Sequence, residues 1–236
     1  MYTPDALSAC VRPENHHFAP ARLAVVENTS NAGGGSVWPI DLVRDVTNRA
    51  REHGLRTHLD GARLWNASVA SGVAPREFAQ HFDTLSVCFS KGLGAPVGSA
   101  VAGDRETMRR VFRFRKMFGG AMRQSGMLAA ACLHALDHHV DRLAEDHAHA
   151  KRLATSLAEC PALSIDPASV ETNIAFVGVD PAWGKASDLV EALASRGVLV
   201  IASAPHQIRV VTHLDVTPPM IDRAIEIVGE CLSVNA

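Results

Sequence analysis

Short apolar runs alternate with longer amphipathic stretches through the first part of the chain. Leu23-Ala24-Val25-Val26 reads as a strand that ends in Glu27-Asn28-Thr29-Ser30-Asn31 and a glycine run, Gly33-Gly34-Gly35. From Asp41 to His53 the apolar positions Leu42, Val43, Val46 and Ala50 recur at helical spacing, and Gly54 stops the helix. Leu55 to Leu59 is the next strand, and a helix over Pro75 to His81 leads to the apolar run Leu85-Ser86-Val87-Cys88-Phe89. Ser99-Ala100-Val101-Ala102-Gly103 is a further strand, and a weak amphipathic helix from Pro4 to Arg12 precedes them all. Strands alternating with helices predict an α/β sheet with crossover connections, covered on both faces.

From Asp104 the pattern turns helical as far as Ala158, with a break at Phe118-Gly119-Gly120. After Pro161 it changes again: Asn173 to Val179, Val198 to Ala202 and Ile208 to Thr212 read as strands, Ser187 to Ser195 and Pro218 to Leu232 as helices. Helices with a few short strands predict a small α+β C-terminal domain with an antiparallel sheet. The expected domains are residues 1–140 and 141–236, with the boundary in or near a helix from about Val140 to Glu159. No internal repeat or low-complexity segment interrupts this plan.

Composition narrows the class. With 236 residues, 47% of them hydrophobic and 20% charged, the chain can bury a sizeable core. A net charge of -2 and no run of basic residues argue against a nucleic-acid partner. Cys10, Cys88, Cys132, Cys160 and Cys231 are odd in number and scattered, which fits neither zinc spacing nor a disulfide framework and favours a reducing compartment. No apolar run approaches the ~20 residues of a membrane span, and Met1-Tyr2-Thr3-Pro4-Asp5 does not begin a signal segment. The expectation is a soluble, cytoplasmic protein.

The candidate chemistry lies where the strands end. Lys91 follows the Leu85–Phe89 run and opens a turn of small residues, Gly92-Leu93-Gly94-Ala95-Pro96-Val97-Gly98-Ser99. A partly desolvated lysine there loses some preference for the ammonium form and becomes a nucleophile suited to a Schiff base. Asp60, in His58-Leu59-Asp60-Gly61-Ala62-Arg63, is a carboxylate at a second strand end. It either caps a helix over Ala62 to Ala70 or holds the protonated pyridine nitrogen of pyridoxal phosphate. Arg63 and Arg209 are planar forks suited to a carboxylate or to cofactor oxygens, and an ordinary ion pair or a solvent-facing position is the plainer reading of each. His58 shares a strand face with Asp60. His134 and His138 have the spacing of metal ligands without a closed ligand set, so no metal is expected, and Met117, Met122 and Met127 read as loop and core packing.

Taken together, Val26-Glu27-Asn28-Thr29, His58 to Ala67, Ser90 to Ser99, Arg115 to Gln124, Glu171-Thr172-Asn173 and Arg209 to His213 resemble the threonine aldolase group of the pyridoxal phosphate enzymes of fold type I, the aspartate aminotransferase fold. The resemblance runs in order over nearly the whole chain. It implies a pyridoxal-phosphate-binding major domain and a small α+β domain. It implies that Lys91 forms the Schiff base with the cofactor, that Asp60 contacts the ring nitrogen, and that Arg63 and Arg209 serve the substrate carboxylate and cofactor oxygens. Lys116 and Arg123 would reach the phosphate in a neighbouring subunit's site, making the enzyme a homodimer or homotetramer. The implied reaction cleaves β-hydroxy-α-amino acids such as threonine or allo-threonine to glycine and an aldehyde.

Two departures accompany it. The family usually has histidine where this chain has Ser30. Family members also carry on the order of a hundred residues ahead of the segment matching Met1, including the phosphate-binding loop and the ring-stacking residue. A truncated, non-catalytic remnant and another β-eliminating lyase on the same fold are the alternative readings.

Overall fold

In the computed structural model, residues 1–233 are described, and they part into two compact units. One comprises residues 1–30 and 37–141, the other residues 31–36 and the chain from Arg142 onward.

The first unit contains α1 (Pro4–Cys10), β1 (Leu23–Glu27), α2 (Ile40–Glu52), β2 (Arg56–Gly61), α3 (Leu64–Ser71), α4 (Pro75–Ala79), β3 (Thr84–Cys88), β4 (Ser99–Gly103), α5 (Arg105–Met117) and α6 (Gly126–His138). Helix starts follow local chemistry. Thr3 Oγ1 accepts the Ala6 N–H with Pro4 in the first turn of α1, and Asp104 accepts the Thr107 N–H ahead of α5. The sheet runs β1-β2-β3-β4, with the first three strands parallel and β4 antiparallel to β3.

Side chains alternate across this sheet. Ala24, Val26 and Leu59 turn inward against Val43, Val46 and Ala50 of α2, Leu64 and Ala67 of α3 and Phe78 of α4. Leu59, Val43, Val46, Ala50 and Phe78 are all 0% exposed, so this is a dry core. The opposite face is not covered as expected from the alternation of strands and helices: Leu23, Val25 and Val101 are 53%, 44% and 45% exposed. The reason is that α2, α3 and α4 all pack on one side. The helix α5 buries no residue and α6 only Ala135. Met117, Met122 and Met127 are likewise exposed rather than packed in a core.

The second unit contains α7 (Leu143–Leu157), β5 (Leu163–Ser164), β6 (Ile174–Val179), α8 (Ala186–Ala194), β7 (Ile201–Ala204), β8 (Gln207–Val211) and α9 (Pro218–Ser233). Its sheet, β5-β6-β8-β7, is antiparallel throughout. Leu153, Leu157, Val177, Leu189, Leu193, Ile208, Ile221 and Val228 form its core. The strand expected at Val198 to Ala202 begins instead at Ile201, and Val198 and Val200 ahead of it pack against that core outside any strand. Among the described residues no helix is long and apolar enough to cross a membrane.

Candidate active site

Three parallel strands deliver the candidate residues to one edge of the first unit's sheet. Open α/β sheets leave room for ligands beyond the carboxyl ends of such strands. The strand β1 ends in Glu27 and continues into Asn28-Thr29, β2 ends in Asp60-Gly61 and continues to Arg63, and β3 leads to Lys91. The register sets Glu27 beside Asp60, and Asp60 beside Ser86. Backbone bonds tie the first two ends together: the Asn28 N–H donates to the Asp60 carbonyl at 2.9 Å, and the Arg63 N–H to the Asn28 carbonyl at 3.3 Å.

Asn28 and Thr29 are wholly buried polar side chains at this edge. Asn28 Oδ1 accepts the Trp38 N–H at 3.3 Å, but Asn28 Nδ2 and Thr29 Oγ1 have no hydrogen-bond partner among the described residues. A buried unpaired donor costs about 1–3 kcal/mol, so two side by side call for a partner. In the sequence the pair stands out only as part of the Val26-Glu27-Asn28-Thr29 stretch that carries the family resemblance; its burial leaves no local mark.

Asp60 is half-buried, and its Oδ1 accepts the Ala62 N–H at 3.0 Å. The capping alternative takes a different form from the one expected, since α3 starts at Leu64 with Arg63 at the N-cap position. Asp60 closes a tight turn ahead of the helix, and a carboxylate has acceptor capacity beyond that one bond. Gly61 is required by space. A Cβ there would lie 2.5 Å from the Ser86 carbonyl oxygen and 3.3 Å from Val87 Cγ1. The side chain of His58 lies along β2 from Asp60, and its Nδ1 is 2.8 Å from Thr84 Oγ1.

Lys91 is exposed, which corrects the expectation of a partly desolvated amine. The turn, not burial, fixes its place. The Gly94 N–H donates to the Lys91 carbonyl at 2.9 Å, the Ala95 N–H to Phe89 at 3.0 Å and the Phe89 N–H to Gly98 at 3.0 Å. Gly94 has φ +70°, a left-handed value that favours glycine at the turn's end. Below it, Leu93 is 2% exposed, so the turn stands on a buried anchor.

Lys116 lies in the last turn of α5, and Arg123 in the connection to α6; both are exposed. Arg209 belongs to the second unit, on β8. Its Nη2 donates to Asn31 Oδ1 at 2.9 Å, while its buried Nε has no partner among the described residues. The plainer solvent-facing reading of Arg209 therefore does not hold. Around it the motifs seen in sequence meet: Thr172 Oγ1 donates to the Gly35 carbonyl at 2.6 Å and Asn173 Nδ2 to the Thr212 carbonyl at 2.9 Å. Thr212 Oγ1 donates in turn to the carbonyl of Asp146, whose wholly buried carboxylate takes two bonds from Arg142, at 2.6 and 3.2 Å. No group of histidine, cysteine or acidic side chains among the described residues is arranged to hold a metal ion.

Residues 1–180 match the family model described as beta-eliminating lyase. The chain is 43% identical over 213 residues to the low specificity L-threonine aldolase of Escherichia coli K12, an alignment covering 90% of this chain and 61% of that protein. Among solved structures it superposes on the Leishmania major threonine aldolase with TM-score 0.78 at 16% identity, covering 98% of this chain and 67% of the other. It superposes on a PLP-dependent aminotransferase from Streptococcus suis 89-1591 with TM-score 0.77 at 14% identity, covering 100% and 62%. The likeness to both structures is one of fold. The chain spans about three-fifths of the length of the curated relatives it matches.

Proposed function

Because the chain belongs to the beta-eliminating lyase family, we propose that it holds pyridoxal phosphate on Lys91 and serves the cleavage of threonine-type β-hydroxy-α-amino acids to glycine and an aldehyde. What supports this reading is that Asp60 and Arg63 lie at and just beyond the carboxyl end of β2, and Lys91 three residues beyond that of its parallel neighbour β3. The relatives named for threonine aldolase activity favour that substrate class over other eliminating lyases.

The residues present fit the ring half of the cofactor. Lys91 offers an accessible amine, Asp60 a carboxylate with acceptor capacity left, and Asn28 Nδ2 and Thr29 Oγ1 are buried polar atoms still wanting partners. When bound, pyridoxal phosphate supplies an aldehyde carbon that condenses with amines and a ring that takes up the electron pair of a breaking bond. Asp60 would hold the proton on the ring nitrogen, and Lys91 would be the point of attachment, its Nζ able to hold a proton whenever it is free. Arg63 and Arg209 pair with the substrate carboxylate or cofactor oxygens. Ser30, standing where the family has histidine, can donate or accept a hydrogen bond but is no base near neutral pH, so the substrate hydroxyl proton needs another acceptor.

Lys116 and Arg123 are assigned to the phosphate of a neighbouring subunit's site. Support for a homodimer or homotetramer comes from the apolar surface of α5 and α6 and their connection, where Phe112, Phe118, Met127 and Leu133 are 68%, 83%, 84% and 61% exposed. Large apolar side chains left in solvent on these elements are what a partner surface would cover. The first domain is taken as residues 1–140, and the small domain as 141–236. Five free thiols fit a reducing, cytoplasmic setting.

A second reading, a family fold without family chemistry, is favoured by one fact: the alignment covers only 61% of the Escherichia coli relative. The test is glycine release from threonine, allo-threonine and phenylserine by the purified chain with pyridoxal phosphate. The proposal expects glycine from at least one substrate and none from Lys91→Ala. Ammonia or a keto acid from an aromatic or sulfur amino acid, without glycine, would indicate an eliminating lyase, and no product at all would support the second reading.

A further inference from the structure

The turn that carries Lys91 is tethered from a distant part of the chain. His139, the residue that ends α6, places its Nδ1 2.6 Å from the carbonyl oxygen of Leu93, 46 residues earlier in sequence. A carbonyl can only accept, so Nδ1 is the donor and carries the hydrogen. The ring is well supported on its own side: the His139 N–H donates to the Ala135 carbonyl at 2.9 Å, and the ring of His134 stands edge-on with centroids 5.4 Å apart. Leu93 is the residue between Gly92 and Gly94, two from Lys91. Its side chain is 2% exposed, and the Gly94 N–H closes the turn onto the Lys91 carbonyl. The turn is therefore pinned twice, by a buried side chain and by a histidine on its carbonyl, while the lysine itself is exposed.

We infer that His139 is a positioning residue for Lys91, acting through the Leu93 carbonyl to hold the turn in the orientation that presents the amine. This rests on the assignment of Lys91 as the cofactor lysine. An exposed lysine on a glycine-rich turn gains no direction from packing around its own side chain, so the turn's backbone must supply it. Loss of the tether leaves the Leu93 carbonyl without this donor and lets the peptide plane rotate, which spreads the directions the amine samples and lowers the fraction aligned for reaction.

The variants are His139→Ala, His139→Phe and His139→Asn. Phenylalanine keeps the ring volume and removes the donor. Asparagine places an amide N–H near the position of Nδ1 and serves as the conservative rescue. Two readouts are taken on the full chain. The first needs no cofactor: amide hydrogen exchange at Gly94 and Ala95, expected to quicken about fivefold in the alanine and phenylalanine variants, the factor for one hydrogen bond, and to stay within about twofold in the asparagine variant. The second is the rate at which pyridoxal phosphate forms a borohydride-trappable adduct on Lys91, expected to fall by about the same factor and to recover with asparagine. Thermal unfolding run in parallel separates a local effect from a misfolded variant.

Unchanged exchange in both the alanine and phenylalanine variants overturns the proposal, as does an asparagine variant that behaves like alanine. Absence of any adduct in the unaltered chain counts against the cofactor reading instead, and the exchange measurement alone then decides the tether.

Discussion

Gly61→Ala is the sharpest structural test of how the site is built. Gly61 pairs with Val87 across β2 and β3, one residue after Asp60 and two before Arg63. A methyl group there would meet the Ser86 carbonyl oxygen at 2.5 Å, Leu64 Cβ at 3.2 Å and Val87 Cγ1 at 3.3 Å. The first of these is backbone, so no side chain can swing aside, and β3 must move away from β2 by several tenths of an ångström. Overpacking a filled site costs about 1–3 kcal/mol, and a backbone obstacle places this change in the upper part of that range. For a chain of this size each kcal/mol lowers Tm by about 2–4 °C, so a fall of about 4–12 °C is expected by circular dichroism. The displacement is also passed along β3 toward Lys91, and adduct formation with pyridoxal phosphate should slow. Gly229→Ala is the control: nothing lies within 4 Å of its added Cβ, and it sits inside α9, where alanine is the better helix former by about 1 kcal/mol. Equal Tm for Gly61→Ala and the unaltered chain, within about 1 °C, would refute the close approach of the two strands.

Asp146→Ala should destabilise the second unit by about 3 kcal/mol, because it leaves the Arg142 guanidinium, itself only 18% exposed, beside a vacated buried site with only the exposed Glu145 at 3.8 Å as a charged partner. Denaturant unfolding measures this, and a change below about 0.5 kcal/mol would show the pair to be dispensable. Acidification should destabilise the chain in two stages. Burial lowers the pKa of His147, against a smaller opposing pull from Asp146, and burial with Arg51 and Arg44 nearby lowers that of His81. The unfolded histidines take up protons near 6.5 while the folded ones resist, so this stability is present above about pH 6.5 and is lost below it. For Asp83 burial alone acts upward, but bonds from Thr57 and Arg56 outweigh it and the pKa is lowered; its contribution holds above about pH 4 and disappears as pH falls through the folded value. A Tm that rises between about pH 7 and 5.5 would contradict the histidine assignment.

Much of this architecture is legible in the residues. The helical spacing of Val43, Val46 and Ala50 marks the face that α2 buries, and the apolar run at Leu85 marks β3. What alternation cannot reveal is which side of a sheet receives the helices. Val25 and Val26 look equally apolar, yet Val26 is 1% exposed and Val25 44%. The Lys91 turn and the Asp60-Gly61-Ala62-Arg63 segment stand out by residue type and by family resemblance. The contacts that hold them do not: His139 reaches Leu93 across 46 positions, and Asn31 reaches Arg209 across 178. Such pairs depend on the path of the folded chain and leave no local pattern. The exposure of Lys91 is illegible for a related reason, since the end of an apolar strand says nothing about what covers the turn that follows it.

The central claim is that Lys91 is the residue to which pyridoxal phosphate attaches. The direct measurement is incubation of the chain with pyridoxal phosphate, reduction with borohydride, and peptide mapping by mass spectrometry. The account predicts a pyridoxyl adduct concentrated on the peptide containing Lys91, absent in Lys91→Ala and weakened in Asp60→Asn. Adduct spread evenly over Lys91, Lys116, Lys151 and Lys185, or unchanged by Lys91→Ala, would contradict it.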